Sequence, residues 1–242
     1  MIPGFLRALA GSRCRVCAAV TEVPGLCPGC AKGLEPRRAG YCPGCGAMPW
    51  DEGQPATLCS ACRLEPRPWD ALGFFGEYAG ALREAVLSLK FGGRLGALDL
   101  LGDLAWQAYR LHRERPGGFC PEGPDVVVSV PMHWRRLLTR GYNQSVELAR
   151  AVAGPLKRPV AVRALGKVRH TRPQSRLSAR ERKANLAGAF AADQEIVAGR
   201  RVLLVDDVMT TGSTLEAATR ALLAGGALRV EVLVVARDRK RG

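Results

Sequence analysis

Asp206 and Asp207 stand side by side at the end of an apolar run, and four hydroxyl side chains follow closely, Thr210, Thr211, Ser213 and Thr214, interrupted by Gly212. Adjacent carboxylates accept hydrogen bonds from two vicinal hydroxyls, as a ribose diol would offer them. A hydroxyl-rich loop that opens a helix presents unpaired N–H groups at the positive end of the helix dipole, which suits a phosphate monoester. One continuous segment therefore has the chemistry to hold both the sugar and the 5-phosphate of a ribose phosphate. Two elements must position it. Residues 202–205 have the length and β-branched content of a buried strand, and residues 213–223 have helical spacing, with Leu215, Ala218 and Leu222 on one face. The carboxylates thus leave a strand at its carboxyl end, where ligands sit in open α/β sheets, and Gly212 allows close backbone approach.

A strand ending in two aspartates also occurs in response regulators and in the Walker B element of P-loop ATPases. The first is disfavoured because this acidic pair follows 205 residues rather than an early strand, and the second because no GxxxxGK[ST] sequence is present. The string RVLLVDDVMTTGST resembles instead the signature of the type I phosphoribosyltransferases. That resemblance implies a site for 5-phosphoribosyl 1-pyrophosphate (PRPP) built from Asp206, Asp207, Val208, Met209, Thr210, Thr211, Gly212, Ser213 and Thr214.

Eight of the nine cysteines form four CxxC pairs within the first 62 residues: Cys14 and Cys17, Cys27 and Cys30, Cys42 and Cys45, Cys59 and Cys62. Each pair can hold one side of a tetrahedral ion from a tight turn, and two structural Zn2+ sites would use all eight. A segment this short, rich in glycine and proline and poor in large apolar side chains, needs such an ion to fold. A disulfide framework or a redox pair is the alternative. The only apolar stretch ahead of the cysteines, IPGFLRALAG, is short and interrupted by Arg7, so no secretory leader is expected and the compartment reads as reducing. Pairing in chain order, Cys14/17/27/30 and Cys42/45/59/62, is the simplest arrangement, with interleaved pairing left open. Cys120 stands alone in RPGGFCPEGP and reads as a loop thiol.

The chain has 242 residues and is 47% apolar, enough for one sizeable core beside a small unit. We expect a double zinc ribbon over 1–66 and a larger domain over 67–242. No run of 18 apolar residues occurs, so membrane insertion is not expected and a cytoplasmic location is. The net charge of +14 is concentrated: residues 130–185 carry 14 basic and 2 acidic side chains. Such a field attracts pyrophosphate, nucleotides or nucleic acid. In the larger unit, strands are expected at 71–78, 125–130, 160–165, 202–205 and 229–236, and helices at 80–89, 95–111, 144–153 and 213–223. This alternation predicts an α/β fold with a parallel sheet flanked by helices. A short basic end, RDRKRG, closes the chain. His112, His133 and His170 are isolated and read as surface or supporting groups rather than general bases.

The strings GEYAGALREAVLSLKFGG, DVVVSVPMHWRRLLTRGYNQSVELA, TRPQSRLSARERKANLAGAF and VLLVDDVMTTGSTLEAATRALLAGGA together resemble the ComF family of bacterial phosphoribosyltransferase-like proteins, in which cysteine-rich zinc ribbons often precede the domain. The resemblance implies a type I phosphoribosyltransferase-like fold. It also implies an association with DNA uptake during natural transformation, and single-stranded DNA and the uptake machinery as partners. Asp206 and Asp207 would be the catalytic and ribose-binding pair, with Mg2+ bridging pyrophosphate and ribose oxygens. Arg140 of RGYNQ would meet the pyrophosphate, near a turn at 131–133. Lys167, Arg169, Arg172, Gln174, Arg176 and Arg182 would form a lid. The segment ALRVEVLVVARDRKRG offers no aromatic platform for an acceptor base, so the acceptor stays unassigned.

Overall fold

The computed structural model describes residues 12–92, 95–132, 141–168 and 188–239. In chain order it contains β1 (Ser12–Arg13), β2 (Val20–Thr21), α1 (Pro28–Lys32), α2 (Ser60–Leu64), β3 (Ala71–Glu77), α3 (Gly80–Gly92), α4 (Leu95–Arg113) and β4 (Val126–Ser129). There follow α5 (Gln144–Leu156), β5 (Leu165–Lys167), β6 (Phe190–Ala192), α6 (Gln194–Val197), β7 (Arg201–Met209), α7 (Ser213–Ala224) and β8 (Arg229–Arg237). The four long strands form one parallel sheet in the order β3-β8-β7-β4. A strand buried on both faces reads as a continuous apolar run, which is why DVVVSV, VLLV and VEVLVVA were visible in the sequence.

One expected strand is displaced. Val160 makes only an isolated bridge to Val127, and the strand that follows is β5, paired antiparallel with β6 as a separate two-stranded sheet. The segment joining these two short strands is the basic one expected to be a lid, and most of it lies outside the described residues.

Each face of the main sheet has its own core. On one, α3, α4 and α5 pack over Phe75, Val127, Leu203, Val205, Leu233 and Val235, and Cys14, Val16 and Cys30 join the same cluster. On the other, α7 covers Val202, Leu204 and Val232, while Tyr41, Met48 and Trp69 cover Leu72 and Phe74. The two cysteine-rich segments therefore lie against opposite faces. Between them the chain crosses the outer edge of β3, where the Arg37 N–H donates to Phe75 O at 2.7 Å. An exposed strand edge is thereby paired and covered. Beyond a small cluster of its own around Cys42, Cys45 and Cys62, the cysteine-rich unit completes the sheet's two cores. At the opposite rim, Arg201 grips Asp125 with Nε and Nη2, at 3.1 and 2.8 Å. These hydrogen bonds hold the Asp125 carboxyl down to about 2 and lock the starts of β4 and β7 together.

His112 is not on the surface. It is 2% exposed, among Tyr41, Phe74 and Phe119, and its Nε2–H donates to Phe74 O at 3.1 Å. Burial, aided by the nearby Arg115 cation, depresses its pKa to about 4. Between pH 6.5 and 4 the unfolded chain binds a proton at this position that the folded chain refuses, so stability falls as pH falls through that window. The full effect is roughly 3 kcal/mol. Urea denaturation of His112→Gln is expected to give a flatter stability profile than the wild type between pH 6.5 and 4. Parallel profiles would contradict this.

Candidate PRPP site and cysteine clusters

The side-chain alternation of β7 slips at the acidic pair. Leu203, Val205 and Val208 belong to one face of the sheet, whereas Val202, Leu204 and Met209 belong to the other. Asp206 and Asp207 fall in the slip, half-buried at the carboxyl end of the strand. Asp206 Oδ1 accepts from Ser145 Oγ at 2.7 Å and from the Asp207 N–H at 2.9 Å, so two donors fix its orientation. Ser145 is placed by the start of α5. The Asn143 side chain caps that helix, accepting from the Ser145 N–H at 3.1 Å and donating from Nδ2 to Val130 O at 3.2 Å. The carboxyl ends of β4 and β7 and the amino end of α5 thus converge on Asp206. Ser145 was not singled out from sequence. Its neighbour in space is 61 residues away in the chain, and only the asparagine of RGYNQS, an N-cap residue type, pointed toward it.

The loop after β7 turns at Gly212, whose φ of +85° lies in the left-handed region, and α7 begins at the next residue. Thr211 Oγ1 and Ser213 Oγ lie 2.9 Å apart across this turn. Among the described residues, the N–H groups of Thr210, Thr211 and Gly212 make no bond to a backbone carbonyl. These N–H groups stand at the start of a 12-residue helix, the kind of place where proteins bind anions. A Cβ on Gly212 would fall 2.6 Å from Met209 Cε and 3.4 Å from the Trp69 ring. Gly212→Ala is therefore expected to cost about 1–2 kcal/mol of stability from the left-handed backbone alone, measured by urea denaturation. An unchanged midpoint would contradict it.

Of the residues expected to meet pyrophosphate, Lys167 lies on β5, with Nζ 5.9 Å from the centre of the Phe190 ring. Arg140, Arg169 and Arg172 lie outside the described residues, as do His133, Gln174, Arg176 and Arg182. Cys120 sits half-buried in its loop, its Sγ–H donating to Glu122 Oε2 at 2.7 Å.

The other eight cysteines gather in chain order. The sulfurs of Cys14, Cys17, Cys27 and Cys30 lie within 4.8 Å of one another, and so do those of Cys42, Cys45, Cys59 and Cys62. None is in a disulfide. The Cys17–Cys27 and Cys45–Cys59 sulfur separations are 3.7 and 3.8 Å. Metal–sulfur bonds of about 2.3 Å in a tetrahedron set sulfurs about 3.8 Å apart, so both sets fit a tetrahedral ion. A hydrogen bond from Cys45 pulls the Cys42 thiol down to about 4, and the Cys59 N–H also donates to its sulfur at 3.3 Å. In the first cluster burial raises the Cys14 thiol, but backbone bonds from Cys27, Cys17 and Val16 outweigh it and bring Cys14 to about 6. Burial raises the Cys30 and Cys62 thiols, and the bond to Cys42 raises Cys45, so each cluster favours one thiolate, the form that binds metal, beside protonated partners.

Comparison with known proteins agrees with this geometry. Residues 108–242 match the phosphoribosyl transferase domain family. The chain is 37% identical to the DNA utilization protein YhgH of Salmonella typhi over 88% of this chain and 90% of that one. It is 32% identical to competence protein F of Haemophilus influenzae over the same shares. Among solved structures it overlaps the adenine phosphoribosyltransferase of Leishmania donovani at 16% identity, over 66% of this chain and 69% of that one, with a TM-score of 0.38, too loose an overlap to carry an argument. A parallel sheet with an acidic pair and a phosphate-type loop at its carboxyl end, two four-cysteine clusters and relatives matched along nearly their whole length converge on one conclusion: the chain belongs to the ComF family of phosphoribosyl transferase domain proteins.

Proposed function

We propose that this protein binds PRPP, with Mg2+, at the junction of β7 and α7, and that it serves DNA uptake in the cytoplasm. The observation that carries this reading is the meeting, at one strand end, of an acidic pair oriented by Ser145 and a glycine-turned loop whose Thr210, Thr211 and Gly212 N–H groups meet no backbone carbonyl among the described residues. Asp206 and Asp207 would accept the ribose hydroxyls, and the loop from Val208 to Thr214 would take the 5-phosphate. Mg2+, when bound, neutralises charge on the pyrophosphate oxygens, and carboxylate and hydroxyl oxygens are the donor type it prefers. In a transfer reaction an acceptor attacks C1 of the ribose, and the C1–O bond breaks with its electron pair leaving on pyrophosphate. The chain's part is to fix the sugar at both ends. Arg140 and a basic lid containing Lys167, Arg169 and Arg172 would meet the leaving group. We read residues 1–66 as the double zinc-ribbon unit, holding two structural ions, and 67–242 as the phosphoribosyltransferase-like unit.

The names of the relatives, DNA utilization protein and competence protein F, together with the charge excess over 130–185, support single-stranded DNA as a partner. They also support a second reading, a non-catalytic zinc-ribbon protein that binds single-stranded DNA and whose PRPP site is regulatory or vestigial. No helix among the described residues is long and apolar enough to cross a membrane. Calorimetric titration of PRPP and Mg2+, with and without a single-stranded oligonucleotide, separates the two. Pyrophosphate release on addition of an acceptor supports transfer. A PRPP affinity that shifts with DNA, without release, supports the second. No heat with PRPP under either condition overturns transfer and a regulatory site alike, and failure to bind the oligonucleotide as well overturns the vestigial-site form of the second reading.

A further inference from the structure

The segment RDRKRG is charged at every residue but its glycine, yet its first arginine is among the most deeply buried side chains of the described residues. Arg237, the last residue of β8, is 1% exposed. Its Nε donates to Cys45 O at 2.8 Å, and its Nη1 donates to Met209 O at 3.1 Å, to Thr210 O at 2.5 Å and to Asp238 O. Every one of these acceptors is a main-chain carbonyl. A buried guanidinium is costly to desolvate, and five donors in a rigid fork are suited to holding several carbonyls in one geometry. Cys45 belongs to the second cysteine cluster, while Met209 and Thr210 begin the loop read above as the phosphate site.

Two further contacts run alongside. Trp69 Nε1–H donates to Gly44 O at 2.9 Å, and a Cβ on Gly212 would lie 3.4 Å from its ring. Arg67 pairs with Glu216 in the first turn of α7. The fit at Cys45 is close: a Cβ on Gly46 would fall 3.1 Å from Arg237 Cδ.

We propose that Arg237 is the positioning residue of the phosphate loop and that it couples ligand binding there to the integrity of the second cysteine cluster. The inference rests on the reading of the loop as a PRPP site. Carbonyl and N–H point in opposite directions across a trans peptide. By drawing the carbonyls of Met209 and Thr210 toward itself, Arg237 turns the N–H groups of Thr210 and Thr211 the other way. Those are two of the loop donors that no backbone carbonyl takes up among the described residues. Loss of the second cluster removes the Cys45 carbonyl that anchors the guanidinium; the Thr210–Thr211 peptide is then free to rotate, while the Met209 carbonyl keeps only the bond from the Asp238 N–H at 2.9 Å. The first cluster, on the opposite face of the sheet, has no such connection among the described residues.

The test compares R237M, R237K, Cys59→Ser and Cys17→Ser with the wild type by three readouts: metal content, amide hydrogen exchange over 209–214, and calorimetric PRPP affinity with Mg2+. R237M is expected to retain both metal ions while its loop amides exchange about tenfold faster and PRPP binds at least about tenfold more weakly, since the buried bonds lost are worth about 1.5 kcal/mol or more. R237K, which keeps a donor, should fall between. Cys59→Ser should lose the second ion and show the same faster loop exchange and weaker PRPP binding, and Cys17→Ser should lose the first ion without either change. Wild-type loop exchange and affinity in a metal-replete R237M overturn the inference. If R237M does not fold, equal loop exchange in the two cysteine variants overturns it. A wild type that binds no PRPP overturns the binding reading instead, and the exchange data still decide whether Arg237 sets the loop.

Discussion

Replacing both carboxylates, Asp206→Asn with Asp207→Asn, is expected to weaken PRPP binding at least about 100-fold while leaving the fold intact. Each hydrogen bond from a ribose hydroxyl to a carboxylate contributes about 1.5–3 kcal/mol, and two are lost or reduced together. About 3 kcal/mol already exceeds a hundredfold in affinity. The fold should survive because asparagine keeps the volume, and the Ser145 Oγ–H and Asp207 N–H can still donate to its amide oxygen. Calorimetry against PRPP and Mg2+, with thermal melting as the control for folding, reads both parts. Wild-type affinity in the folded double variant would remove the acidic pair from the site.

The second large effect concerns the cysteine clusters. Elemental analysis is expected to find two zinc ions per chain, and their removal by a strong chelator under reducing conditions should lower the melting temperature by more than about 10 °C. Structural zinc sites bind with apparent energies of about 10–16 kcal/mol, comparable to the whole stability of a domain, about 5–15 kcal/mol. Losing even about 5 kcal/mol lowers the midpoint of a chain this size by about 10–20 °C. The effect should not stay local, because Cys14, Val16 and Cys30 belong to one core of the sheet and Tyr41 and Met48 to the other. A metal-free, disulfide-bonded preparation with an unchanged midpoint would refute the zinc assignment.

What could be read before folding follows from the physics of each element. The strands β4, β7 and β8 are buried on both faces and therefore stand out as apolar runs. The loop after β7 was legible because hydroxyls, a glycine and carboxylates lie in one continuous segment. The chain-order grouping of cysteines followed from local closure of CxxC turns. The short strands β5 and β6 were harder: three residues give no period to detect, and the pairing joins chain ends separated by the basic segment. Ser145 was hidden because its role comes from a contact to Asp206 that only the sheet brings about. The burial of Arg237 was hidden for a stronger reason. Its neighbours in RDRKRG are charged, and nothing local signals that four carbonyls, one of them 192 residues earlier in the chain, await the guanidinium. His112 was hidden in the same way, by aromatic rings drawn from three separate elements.

A crystal structure of the protein with PRPP and Mg2+ tests the central claim most directly. The account predicts the 5-phosphate within hydrogen-bonding distance of the backbone N–H groups of the loop at Thr210–Thr214, with the ribose hydroxyls on Asp206 and Asp207. PRPP bound elsewhere, or absent from the junction of β7 and α7 at saturating concentration, would contradict it.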